Sequence, residues 1–302
     1  MSLRCDLGEV ITAMVTPMDK DRAIDYESVE KMSRHLLEQQ TDAIVVAGTT
    51  GESPTLTHEE EYEILHCVKA TVNGDCKVIM GAGSNCTDTA IRSSKKAQEL
   101  GADAILSVVP YYNKPSQQGL IEHFGAIAKN VDIPIILYNI PGRTGIDMAP
   151  STIAFLAKEY SNIVAVKQSN GNLDLISEIK MLCPDDFAIY SGDDSLTLPM
   201  LSIGAHGVVS VASHVVGAEI KSMITNFKSG QVSVATNMHK SLYPLFKKIF
   251  MAPNPTPIKA LLSKLNVVQN FVRRPLVELD EQDRLELVEC LINVKQKINQ
   301  EY

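Results

Sequence analysis

The feature that most restricts the fold is a repeated alternation of short apolar runs with longer amphipathic stretches. That alternation predicts β-α-β units and a parallel sheet, not segregated strands and helices. Eight strands are expected, at Ile11 to Val15, Ala43 to Val46, Lys77 to Gly81, Ala104 to Val108, Ile135 to Tyr138, Ile163 to Lys167, Ala188 to Ser191 and Gly207 to Val211. Helical stretches lie between them. In Tyr26 to Gln39, for example, Val29, Met32 and Leu36 recur on one face, and Glu59 to Val72 carries Leu65 and Val68. Three segments lead alike from a helix end into a strand: Thr41-Asp42-Ala43-Ile44, Ala102-Asp103-Ala104-Ile105 and Ala205-His206-Gly207-Val208. Gly101 and Gly204 precede two of them, as helix C-caps would. These repeated half-units favour an α/β fold of the closed (β/α)8, or TIM-barrel, type. An open doubly wound sheet is the alternative, but the G-x-G-x-x-G fingerprint of dinucleotide binders is absent.

After about Gly230 the strand pattern stops. Val232 to Phe250 and a final stretch beginning at Asp280 read as helices, the last with an apolar stripe of Leu287, Leu291, Val294 and Ile298 and with Asp280 as N-cap. A catalytic barrel over 1–230 and a C-terminal helical domain over 231–302 are therefore expected.

Composition narrows the function. A net charge of −8, with no lysine or arginine stripe, disfavours a nucleic-acid partner. The six cysteines form no C-x-x-C pair, and none clusters with histidines at zinc-ligand spacing. His58-Glu59 resembles the start of a zinc-protease helix, but Tyr62 stands where the second histidine belongs, so no metal is expected. A basic-then-apolar leader and an 18-residue apolar run are both missing, which makes the cytoplasm the expected location and a membrane partner unexpected.

Barrel enzymes gather their chemistry at the C-terminal ends of strands. Four places there carry reactive groups. Ile163-Val164-Ala165-Val166-Lys167 ends on a lysine whose strand period places it with Ala165 and Ile163 on the interior face. An amine held there is poorly solvated as a cation and is suited to attack carbonyls; the plainer alternative is a lysine at a solvent-exposed strand end. Gly48-Thr49-Thr50-Gly51-Glu52-Ser53 is a small, hydroxyl-rich loop fit for an anion such as a carboxylate, and Thr57 and Glu60 beyond it have capping-box spacing. It reads equally as an ordinary loop with a helix cap. In Ile135-Ile136-Leu137-Tyr138-Asn139-Ile140-Pro141-Gly142-Arg143, a tyrosine ends a strand and can relay protons, while an arginine can clamp a carboxylate; alone, the segment reads as a core tyrosine and a surface arginine. Tyr111-Tyr112-Asn113-Lys114-Pro115 is an aromatic loop suited to a subunit contact.

Taken in order with Thr12-Ala13-Met14-Val15-Thr16-Pro17, Tyr138 to Gly145, Ser191-Gly192-Asp193-Asp194 and Asn254-Pro255-Thr256-Pro257-Ile258-Lys259, these segments closely resemble the dihydrodipicolinate synthase and N-acetylneuraminate lyase superfamily over essentially the whole chain. The resemblance implies a (β/α)8 barrel with a C-terminal helical domain, assembled as a homotetramer that is a dimer of dimers. It implies a Schiff base on Lys167, a proton relay of Tyr138, Thr49 and Tyr112, and a Tyr112 that enters a neighbour's site. Thr49 and Thr50 would hold the carboxylate of pyruvate, Arg143 that of the aldehyde, and Gly192 and Val209 would line the pyruvate pocket. The implied reaction condenses pyruvate with L-aspartate 4-semialdehyde, in lysine and diaminopimelate biosynthesis, without metal or organic cofactor. The rival readings are an N-acetylneuraminate or keto-deoxy sugar acid lyase, and a non-catalytic pyruvate-binding regulator that would be expected to have lost the lysine or the tyrosine. One departure stands beside the nucleophile: Gln168-Ser169-Asn170-Gly171, where synthases commonly have an acidic residue followed by alanine. The family's lysine-inhibition cleft would correspond to Ser53, Pro54, His58, Glu61, Asn85, Thr89 and Tyr111. Inhibited members tend to carry a histidine or similar group in place of Glu61 and a glutamate in place of Thr89.

Overall fold

A computed structural model describes residues 4–301; residues 1–3 and 302, the outer ends of the two expected domains, lie outside the described residues. Among the described residues, strands β1 (Val10–Ala13), β2 (Ala43–Val46), β3 (Lys77–Gly81), β4 (Ala104–Val108), β5 (Ile135–Asn139), β6 (Ile163–Gln168), β7 (Ala188–Ser191) and β8 (Gly207–Ser210) form one closed barrel in chain order. Every pairing is parallel, and β1 closes on β8 through Val10 with Val208, Ile11 with Val209 and Thr12 with Ser210. The expected strands stand within two residues at each end. The largest difference is at β1, which stops at Ala13, although Met14 N still donates to Val45 O at 3.0 Å.

Helices α1 (Tyr26–Glu38), α2 (His58–Val72), α3 (Thr87–Glu99) and α4 (Gln117–Ala128) follow the first four strands. The short α5 (Pro141–Thr144) and then α6 (Pro150–Glu159) follow β5; α7 (Leu173–Leu182), α8 (Thr197–Ser202) and α9 (Ser213–Lys228) follow the last three strands. Beyond the barrel come α10 (Val232–Lys248), α11 (Thr256–Lys264) and α12 (Glu281–Glu301). Local chemistry sets the ends of these helices. Thr57 and Glu60 form the capping box of α2, Asp283 N donates to Asp280 Oδ1 at 2.8 Å before α12, and Gly101 and Gly204 take φ of 79° and 98° at helix ends. The α12 stripe of Leu287, Leu291, Val294 and Ile298 is buried, as expected. No helix of the described residues is long and apolar enough to cross a membrane.

Strand alternation builds two apolar layers. Ile11, Val45, Ile79, Leu106, Ile136, Ala165 and Val209 fill the barrel interior, while Val10, Ile44, Met80, Leu137, Val166 and Val208 face the helices. The outer layer runs on without interruption into Ala235, Leu242, Ile258 and Leu287 of the C-terminal helices. Ile163 corrects the expected pattern. It joins the outer layer, not the face of Lys167, because the β5–β6 register slips from Ile135 opposite Ile163 to Ile136 opposite Ala165. The extra residue, Val164, is a bulge that reverses the alternation upstream of it and leaves Ala165 and Lys167 together.

Candidate active site at the mouth of the barrel

Tyr138 near the end of β5 and Lys167 near the end of β6 stand directly opposite one another in register. Both are buried, at 5 % and 6 % exposure, and Lys167 Nζ lies 4.2 Å from the centroid of the Tyr138 ring. Lys259, the other buried lysine, is neutralised by Glu52 at 2.5 Å; no carboxylate pairs with Lys167 among the described residues. Lys167 is buried without a counter-ion among the described residues and packs against the Tyr138 ring, which places an amine beside a phenol.

Gly192 is placed by the same packing. Its N–H donates to the Gln168 carbonyl at 2.9 Å, and a Cβ on it would lie 1.9 Å from Ser169 Oγ and 3.1 Å from Lys167 Cε. A larger residue would require the Ser169 hydroxyl to move and would crowd the Lys167 side chain. Val209, 1 % exposed, belongs to the interior layer and pairs with Ile11.

The loop after β2 curls tightly, with Gly51 N donating to Gly48 O at 3.0 Å, Glu52 N to Thr49 O at 3.1 Å and Thr16 Oγ1 to Gly51 O at 2.6 Å. Thr50 is buried, and its Oγ1 accepts from Asn254 Nδ2 at 2.9 Å. Thr49 lines a cavity of 440 Å³ together with Tyr138, Ile140 and Arg143; Lys167 is not among its lining residues and meets this group through its contact with the Tyr138 ring. Arg143 is exposed on α5, with no ion-pair partner among the described residues, so its guanidinium is available to an anion entering the mouth. The same cavity continues past Ser53, Pro54, His58, Glu61, Thr89 and Tyr111.

Tyr112 is not brought to this site by the single chain. It is 90 % exposed with φ of 71°, on a loop tip held by Asn113 Nδ2 donating to Asn85 O at 2.8 Å and Asn85 Nδ2 to Tyr111 O at 3.2 Å. Among the four residues expected to carry catalysis, Lys167 and Tyr138 are in contact, Thr49 lines the same cavity as Tyr138, and Tyr112 stands exposed at its loop tip.

The departure at 168–171 resolves into separate roles. Gln168 alternates away from Lys167; it is 1 % exposed, and its amide atoms have no partner among the described residues. Ser169 Oγ, also buried without a partner, sits against Gly192 close to Lys167. Asn170 Nδ2 donates to Asp147 Oδ2 and Asn139 Nδ2 to Asp147 Oδ1, both at 2.6 Å, so Asp147 ties the loop after β5 to the loop after β6. Asp147 went unforeseen because its partners lie eight and 23 residues away and no local pattern links them. Asp194, fully buried, accepts from Ser210 Oγ at 2.5 Å and from the amides of Val211 and Ala212, which ties the loop after β7 to the end of β8; burial pushes its carboxyl up to about 6.

The model of the dihydrodipicolinate synthetase family matches residues 6–294. The 4-hydroxy-tetrahydrodipicolinate synthase of Desulforamulus reducens is 48 % identical over 288 residues, 95 % of this chain and 97 % of that protein. That of a Cyanothece species is 52 % identical over 276 residues, 91 % of this chain and 94 % of its own length. The crystal structure of the dihydrodipicolinate synthase from Cyanidioschyzon merolae with lysine bound superimposes with a TM-score of 0.94 at 48 % identity, covering 96 % of this chain and 98 % of that one. One from Bacillus anthracis gives 0.92 at 44 % identity, covering 95 % and 98 %. With the motifs in order, the barrel closed and the lysine set against the tyrosine, the chain belongs to the dihydrodipicolinate synthetase family.

Proposed function

We propose that this chain condenses pyruvate with L-aspartate 4-semialdehyde to form 4-hydroxy-tetrahydrodipicolinate, through an imine on Lys167. The observation that carries this reading is the buried amine of Lys167, free of any carboxylate among the described residues and packed 4.2 Å from the Tyr138 ring centroid. Lys167 Nζ attacks the keto carbon of pyruvate while Thr49 and Thr50 hold the carboxylate. Tyr138 transfers protons as the carbinolamine loses water and becomes the imine. The imine acidifies the methyl group, whose proton is lost to give an enamine. The enamine carbon attacks the aldehyde, and the alkoxide is protonated through Tyr138, Thr49 and the Tyr112 of a neighbouring subunit. The substrate's amine then attacks the imine carbon, closes the ring and releases Lys167. No metal or organic cofactor takes part, since the lysine is the electron sink. Supply of Tyr112 across an interface goes with the homotetramer that the resemblance implies, and the 90 % exposure of that ring supports it. A coupled assay offering pyruvate with aspartate semialdehyde or with sugar aldehydes tests the reading; turnover with sugar aldehydes alone would replace it with a sugar acid lyase.

Arg143 has a separate task, the carboxylate of the aldehyde. Arg143→Ala is expected to lower kcat/KM for aspartate semialdehyde about ten- to a hundredfold, the worth of one charge-assisted hydrogen-bonding group of roughly 1.5 to 3 kcal/mol. Borohydride trapping of the pyruvate imine should proceed as in the parent. Loss of trapping in this variant would show that Arg143 serves the first substrate.

Lysine at millimolar concentration is expected to leave activity nearly unchanged. Thr89 offers no charge to the ligand's ammonium. Glu61 is 5 % exposed and already engaged, accepting from Ser53 Oγ at 2.6 Å and meeting His58 Nδ1 at 3.1 Å; burial pushes its carboxyl above the usual range, against those two contacts. Half-inhibition at submillimolar lysine in the coupled assay would overturn this expectation.

A further inference from the structure

One charged cluster lies outside the lining of the cavity described above and yet holds the Thr49-Thr50 loop. Lys259 of α11 and Glu52 of the loop after β2 have side chains 0 % and 1 % exposed. Lys259 Nζ donates to Glu52 Oε1 at 2.5 Å and to the Phe271 carbonyl at 2.7 Å, and Glu52 Oε2 accepts from Arg273 N at 2.8 Å. The Arg273 guanidinium grips both Glu60 oxygens at 2.8 and 2.6 Å and the Thr55 carbonyl at 2.8 Å. Glu52 has φ of 59°, a left-handed conformation that a non-glycine residue keeps only where its surroundings hold it.

A buried ion pair adds little net stability, because two apolar side chains of the same volume fill the space without desolvating charge. What this pair supplies is direction: each oxygen of Glu52 is fixed by a separate donor from the C-terminal segment. Glu52 N in turn donates to the Thr49 carbonyl, so a displaced Glu52 displaces Thr49 and Thr50 with it. We propose that the Lys259–Glu52 pair is a positioning device for the Thr49-Thr50 loop, through which the C-terminal helices set the affinity for pyruvate without contacting it. The proposal rests on the reading above that these threonines hold the pyruvate carboxylate.

Full-length Lys259→Met, Glu52→Gln and the double variant are compared with the parent by melting temperature and by steady-state kinetics in each substrate. In Lys259→Met, which leaves a buried carboxylate unpaired, the melting temperature falls, the pyruvate KM rises at least about tenfold, kcat moves less than about threefold and the aldehyde KM is unchanged. In the double variant, which has no unpaired charge, melting recovers toward the parent while the pyruvate KM stays raised. The pyruvate KM of the double variant decides, including where a single variant fails to fold. A parental value overturns the proposal, since the pair would then only occupy space, and so does an increase confined to the aldehyde KM. Borohydride trapping on the parent separates the two readings: an adduct away from Lys167 refutes the Schiff-base assignment, whereas an adduct on Lys167 beside a parental KM in the double variant refutes only the positioning role.

Discussion

Borohydride added together with pyruvate is expected to inactivate the enzyme irreversibly and to leave a single reduced pyruvate adduct, on Lys167. Neither reagent alone should do so. Among the described residues, Lys167 and Lys259 are the buried lysines, but the Lys259 amine is bound to the Glu52 carboxylate and the Phe271 carbonyl, which leaves Lys167 as the buried amine free to attack a carbonyl. Peptide mass mapping after reduction locates the adduct. Lys167→Ala removes the nucleophile and should lower kcat by at least about 10³-fold, the scale on which loss of a covalent catalyst is felt. An adduct on any other lysine, or a Lys167→Ala variant retaining a tenth of parental turnover, would sink the mechanism.

Tyr138→Phe should lower kcat about 10²-fold or more and leave the pyruvate KM within a few-fold of the parent. The ring is 5 % exposed and packs against Lys167 Nζ, and phenylalanine keeps that ring, so the packing against Lys167 survives. Only the hydroxyl is lost. A group that moves protons acts in the transition state, so its removal appears in turnover before it appears in binding. A Tyr138→Phe enzyme with parental kinetics would remove this residue from the proton relay. A variant with raised KM and unchanged kcat would make the phenol a binding group instead.

Much of this site could be read in the linear chain, because the relevant rules are local. Strand ends follow from apolar runs four to six residues long, and in a barrel the strand ends are where chemistry collects, so Lys167, Tyr138 and the Gly48 to Ser53 loop stood out before any contact was known. Helix caps at Thr57 and Asp280 are equally local, each set by a hydrogen bond spanning three residues. The face of Ile163 was not legible, since the bulge at Val164 is a property of how β6 pairs with β5. Nor was the consequence of Gln168-Ser169-Asn170. Only the folded chain turns Gln168 away from the nucleophile, sets Ser169 against Gly192 and links Asn170 to Asp147.

By itself, the sequence determined the alternation of eight apolar strands with helices, because periodicity and turn chemistry act over a few residues, while the candidate reactive groups were singled out by the order of the motifs and the resemblance they carry. Tertiary structure decided which of those groups meet. It brings Glu52 and Lys259 together across 207 residues and neutralises one buried lysine, and it sets Tyr138 over the other and leaves that amine unpaired. Tyr112, which the motif placed with the catalytic residues, is left outside the chain that carries it. Burial, pairing and desolvation depend on distances in space, and closure of the barrel sets those distances by joining segments that no local pattern relates.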